Sequence, residues 1–104
     1  MKPQPPYYAV IFTNRQTQQT EGYSQMADRM EALAREQPGF LGFEHARDQL
    51  GISISYWRSL DDIATWKGHM EHLKAQHLGQ EQWYQWYRVR ICLVERDYEF
   101  GSPE

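Results

Sequence analysis

The chain has 104 residues, a formal net charge of −3 and a single cysteine, which bounds it to one domain with one core of modest size. Its charges form no basic cluster, so the electrostatic footprint of a nucleic-acid binder is missing. There is no run of about eighteen apolar residues, and the opening MKPQPPYY has one Lys but no apolar stretch; neither a membrane span nor a signal peptide is expected, and the cytoplasm is the default location.

Residues 1–6 carry three prolines and read as a mobile leader, because proline neither donates to a ladder nor continues a helix. The fold is expected to begin at Tyr7 with YYAVIFT, apolar on both parities as in a central strand covered on both faces. Over residues 20–37, Tyr23, Met26, Ala27, Met30, Leu33 and Ala34 recur at helical spacing until Pro38-Gly39 stops the helix. FLGFEHARD and ISISYWRS, separated by Gln49-Leu50-Gly51, then predict a hairpin. Ser59-Leu60-Asp61-Asp62 supplies N-cap groups for a second helix over about 61–77, with Ile63, Trp66, Met70, Leu73 and His77 on one face. Leu78-Gly79 breaks that helix, QEQWYQWY is expected to add a helical turn or two, and VRICLVERDYEF closes as a long strand. Cys92 reads as a small apolar side chain within it, and 99–104 as a flexible tail.

The resulting order, β-α-β-β-α-β over residues 7–98, is the ferredoxin-like arrangement: α+β, with an antiparallel sheet and both helices on one face. Two helices cover one face only, yet Tyr8, Val10 and Phe12 oppose Tyr7, Ala9 and Ile11, and Val89, Ile91 and Leu93 oppose Cys92 and Val94. A sheet apolar on both sides predicts a homodimer in which two sheets meet face to face.

Residues 56–87 hold all four tryptophans and three of the four histidines, side chains suited to lining a pocket for a small aromatic molecule or to building a core. At ~100° per residue, Ile63, Trp66, Met70, Leu73 and His77 share a stripe roughly 80° wide; His69 sits at its edge and His72 points away. His77 is therefore either a helix-end histidine facing the macrodipole or a ligand. His69 and His72, without a carboxylate or thiol set, do not make a metal site. Asn14, a polar amide ending an apolar run, must reach solvent, start a turn or find partners. Tyr56, Trp66, Met70 and Trp83 are candidate pocket walls. No Ser-His-Asp set, phosphate loop or nucleotide fingerprint appears.

Beyond these residue-level readings, QPGFLGFE, SYWRSLDDIATWKGHMEH and the closing VERDY resemble the antibiotic biosynthesis monooxygenase (ABM) domain family, in particular its small stand-alone bacterial members. The resemblance implies a dimeric α+β barrel with a pocket between sheet and helices in each subunit. It further implies one of two chemistries, cofactor-independent oxygenation of a quinol- or polyphenol-like compound or haem-dependent haem degradation. A third outcome is a dimeric binding domain that keeps the fold without the chemistry. The haem-degrading pattern of an asparagine after the first strand, a tryptophan in the second helix and an axial histidine near its end matches Asn14 and Trp66 and resembles His77. The Trp66–His77 interval is one residue longer than in that pattern, a rotation of ~100° on a regular helix. For the cofactor-free chemistry the candidates are Asn14, Trp66, His69, His77 and Tyr56, with Trp66 holding the ring and an imidazole taking the proton; only the haem route would need a cofactor, bound through His77.

Overall fold

The computed structural model describes residues 3–75 and 80–103, with side chains described for 3–71 and 82–103. The strands are β1 (Tyr7–Gln16), β2 (Phe40–Arg47), β3 (Gly51–Trp57) and β4 (Tyr84–Val94); the helices are α1 (Tyr23–Arg35) and α2 (Leu60–Ala75), and one 3₁₀ turn spans Gln80–Trp83. All pairings are antiparallel, in the sheet order β2-β3-β1-β4. Ferredoxin-like α+β topology is thus what the chain adopts.

Two boundaries differ from the sequence reading. YQWY belongs to β4 and not to a helix, because β1 runs on to Gln16 and offers it a ladder: Asn14 pairs with Tyr87, Arg15 with Trp86 and, across a register shift, Gln16 with Tyr84. At its other end β4 stops at Val94, opposite Tyr7. The chain before Tyr7 is Pro5-Pro6, which has no N–H to extend the ladder. The predicted strand residues 95–100 therefore lie outside the sheet, and Asp97 Oδ2 accepts a 2.6 Å bond from the Tyr7 hydroxyl. Gln4, in the leader, accepts from the Arg58 guanidinium through its carbonyl at 3.1 Å.

Pleating divides the sheet's side chains between two faces. Tyr8, Val10, Phe12 and Asn14 share one with Trp57 and Ser55, and both helices pack there: Ala34, Trp57, Ile63 and Trp66 are buried together against Tyr8 and Val10. Trp57, with no exposed surface, is the centre of this core. It stacks on Trp66 (centroids 5.9 Å apart, planes at 22°) and meets Phe40 edge-on at 5.6 Å. Its indole N–H donates to Ser55 Oγ at 2.8 Å. A second cluster wedges Met26 and Trp83 against Tyr23, Met30, Leu33 and Tyr84.

Ser59 caps α2. Its Oγ accepts from the Asp62 N–H at 3.1 Å and donates to Asp62 Oδ2 at 2.8 Å, a reciprocal arrangement of the capping-box kind. The Asp62 carboxylate in turn lies against Gly39. That residue has φ +80°, and a Cβ there would stand 2.0 Å from Asp62 Oδ2, so glycine sets how closely the hairpin approaches α2. α1 packs chiefly on β2 and α2 on β3, and Val89, Ile91 and Leu93 on β4 remain about half exposed beyond the helices.

Candidate functional site

Between the helices and the sheet is a cavity of about 470 Å³. Its floor is Val10 and Phe12 of β1 with Val89 and Ile91 of β4; Met26 and Met30 of α1 and Trp66 and Met70 of α2 form its roof. The gap exists because the helices lie toward the β2-β3 side, leaving the β1-β4 floor facing methionines that fill space loosely. The wall is mainly apolar, the polar exceptions including the hydroxyls of Ser53 and Ser55 and the rings of Tyr23, Tyr84 and Tyr87. Such a chamber, apolar with a few placed polar groups, suits an aromatic ligand of moderate size.

Three tyrosines cluster together in the wall, while Glu31, Lys67 and Glu71 of the helices add charged groups to the lining. Tyr23 and Tyr84 meet edge-on with centroids 5.8 Å apart, and Tyr84 and Tyr87 at 5.6 Å. Burial, followed by the neighbouring Tyr23 and hydrogen bonding with it, raises the Tyr84 phenol well above the ordinary tyrosine range, so at neutral pH it is a protonated donor. Asn14, 1% exposed, accepts a 2.6 Å bond at Oδ1 from Arg47 Nη2, and the same nitrogen lies 3.3 Å from the Tyr23 hydroxyl.

The residues singled out in the sequence separate into groups. Trp66 and Met70 line the cavity. Asn14 lies behind the tyrosines, held by Arg47. Trp83 is buried under the start of α1, its indole N–H donating to the Glu21 carbonyl at 2.8 Å and its ring edge-on to Tyr23 at 5.5 Å; it supports the wall from behind. Tyr56 points to the opposite face of the sheet and donates to Glu44 Oε1 at 2.6 Å. His69 is on the exposed side of α2, away from the chamber, and His77 lies outside the described residues. Among the described residues no imidazole lines the cavity, and no three His, Cys, Asp or Glu side chains are gathered for a metal ion.

The sequence reading did not single out Trp57, Arg47, Tyr84 or Tyr87 as functional residues. The two tyrosines were hidden by the helical reading of 80–87; Arg47 reaches Asn14 only through strand register, which periodicity does not encode.

Residues 8–78 match the antibiotic biosynthesis monooxygenase family. The chain belongs to that family. It is 48% identical over 96 residues to the uncharacterized protein YqjZ of Bacillus subtilis (strain 168), covering 90% of this chain and 84% of that one. Among solved structures it resembles SnoaB, a cofactor-independent oxygenase from Streptomyces nogalater, with a TM-score of 0.69 and 11% identity over 96% of this chain and all of that one. It also resembles the heme-degrader MhuD from Mycobacterium tuberculosis, determined with two hemes in its active site, with a TM-score of 0.69 and 19% identity over 88% of this chain and 99% of that one. At such identities these two likenesses speak to the fold. Among the described residues, no helix is long and apolar enough to cross a membrane.

Proposed function

We propose that this ABM-family chain is a cofactor-independent monooxygenase of a small phenolic compound, acting in the cavity between sheet and helices. The observation that carries the reading is the chamber itself: about 470 Å³, mainly apolar, with Trp66 as an aromatic wall and the protonated Tyr84 phenol beside Tyr23. The oxidation asks little more of a protein than a dry site, a means of holding the ring and donors for developing negative charge. A phenol with a free para carbon gives up its proton to water, and the resulting anion passes one electron to O₂. The aryloxyl radical and superoxide then join in a C–O bond, the peroxide anion takes a proton back from water, and the hydroperoxide so formed loses water to leave a quinone carbonyl. One O₂ is consumed per substrate; one oxygen atom enters the product and the other leaves as water. Trp66 supports the ring, and the Tyr84 phenol donates to the oxygen that carries charge.

For the haem-dependent alternative, the imidazole that would bind haem, His77, lies outside the described residues, and among the described residues no other imidazole lines the cavity. The site is proposed to work in a homodimer assembled through the helix-free sheet face, where Ile52 is 40% exposed.

Oxygen uptake with 1-naphthol under ¹⁸O₂, in parallel with a haem titration followed at the Soret band, tests the reading. Uptake without added haem and one labelled oxygen in the naphthoquinone are expected. Uptake that requires haem, or a saturable Soret band lost in His77→Ala, would replace the reading with a haem-dependent one.

A further inference from the structure

Asn14, Gly51 and Arg47 occupy one cross-strand row, with Tyr87 beyond Asn14: Arg47 pairs with Gly51, Gly51 with Asn14 and Asn14 with Tyr87. Because residue 51 has no side chain, the Arg47 guanidinium lies back across β3. A Cβ on Gly51 would stand 2.2 Å from Nη2 and 2.3 Å from Cζ. The vacancy lets Arg47 reach Asn14 Oδ1 at 2.6 Å and the Tyr23 hydroxyl at 3.3 Å, with Cζ 5.6 Å from the Tyr23 ring centroid. Both bonds come from Nη2, whereas a guanidinium offers five N–H donors in a fixed fork. Among the described residues no carboxylate lies within ion-pair distance of Arg47. Arg47 is not itself a lining residue of the cavity, whose charged lining groups are Glu31, Lys67 and Glu71; it reaches the cavity's edge through Tyr23, which it touches and which does line it.

We infer that Arg47, oriented by Asn14 across the gap at Gly51, is the anion-holding group of the cavity, so that the ligand is an aromatic compound bearing an anionic oxygen. The inference rests on the cavity being the ligand site. The ring lies among Phe12, Trp66, Met26 and Met30, and the charged oxygen faces the tyrosine cluster where Arg47 and the Tyr23 and Tyr84 phenols converge. Arg47 is exposed, yet a charge-assisted bond from it to an anion is still stronger than a neutral one. Asn14 is a positioning residue, fixing the fork through Nη2 and leaving Nη1 and Nε to the ligand. The anionic oxygen belongs either to a phenolate or to a ring carboxylate.

Quenching of tryptophan fluorescence by two matched probe pairs tests this. 2-Naphthoate against 2-naphthamide reads a carboxylate, and 2,4-dinitrophenolate against 2,4-dinitroanisole reads a phenolate. The anion of at least one pair is expected to bind about tenfold or more tightly than its neutral partner. Arg47→Gln should abolish that preference by lowering the affinity for the anion far more than that for its neutral partner. Gly51→Ala should reduce the preference with both polar side chains still present, since the added methyl displaces only the flexible end of Arg47; circular dichroism and the thermal midpoint show whether each variant is folded. The pair that shows the preference identifies the oxygen. Anion and neutral binding equally, or a preference that survives Arg47→Gln, overturns the inference and leaves the cavity reading standing. Failure of all four probes to bind sinks the cavity reading and this inference with it.

Discussion

Replacing Trp57 by Ala removes the side chain on which both helices converge. Trp57 is fully buried, stacked on Trp66, edge-on to Phe40 and bonded to Ser55. A large aromatic buries roughly 150–250 Å², which at ~25 cal/mol/Å² corresponds to ~4–6 kcal/mol; the unfolded chain already hides part of that area, and Ala keeps part, so the figure is an upper one. Losses of ~3–5 kcal/mol are usual for such truncations, and the lost bond to Ser55 contributes ~1 kcal/mol of this. Against a total stability of ~5–15 kcal/mol, the variant should be barely folded, with its urea midpoint far below wild type. Trp57→Phe retains a ring and should lose less than half as much. In a double-mutant cycle, the Trp57→Ala and Trp66→Ala costs should fall short of additivity by ~0.5–1.5 kcal/mol, the worth of the stacked pair. A Trp57→Ala loss below ~1 kcal/mol would refute the assignment of Trp57 as the keystone of the core.

Hydrogen bonding to Asp97, then burial, raises the Tyr7 phenol from its ordinary value of 10.0 to about 12. The native state therefore holds this proton when the unfolded state has released it, and the associated stability, present below pH 10, is lost as pH climbs from about 10 to about 12. Thermal midpoints across that range should fall less steeply for Tyr7→Phe than for wild type, with Tyr56, raised to about 12 by burial and its bond to Glu44, carrying part of the remaining slope. An unchanged slope would show that the Tyr7–Asp97 contact does not persist in solution. For assembly, light scattering at micromolar concentration should give twice the chain mass; a stable monomer would leave the helix-free sheet face without the proposed partner.

The topology was legible because its signals are local: the 3–4 spacing of α1, the Ser59 cap, the Gly-containing turn before β3 and the apolar run of β1 each announce themselves within about a dozen residues. The start of β4 was not. YQWY satisfies helical and extended backbones alike, and what decides it is the continuation of β1 past Thr13, a partner far away in the chain. Site residues follow the same division. Trp66 and Met70 line the cavity because they share the inward stripe of α2, whereas His69, at the stripe's edge, is exposed. Tyr56 alternates to the opposite face from Trp57, a one-residue parity that decides which aromatic meets the helices. Arg47 was invisible because its role depends on a glycine two strands from Asn14's other neighbour, a relation that only register creates.

The proposed oxidation of a phenolic substrate is assigned to the cavity between helices and sheet. Ala27 of α1 lines that cavity and is half-buried, so Ala27→Trp fills the space while leaving Asn14, Arg47 and Trp66 themselves unsubstituted. Oxygen consumption with 1-naphthol, measured for wild type and for this variant after its fold is verified, is the decisive comparison. Wild type should consume one O₂ per naphthoquinone formed, and the filled variant should fall to the uncatalysed rate. Equal rates in both proteins, or a wild-type rate no faster than buffer, would contradict that assignment.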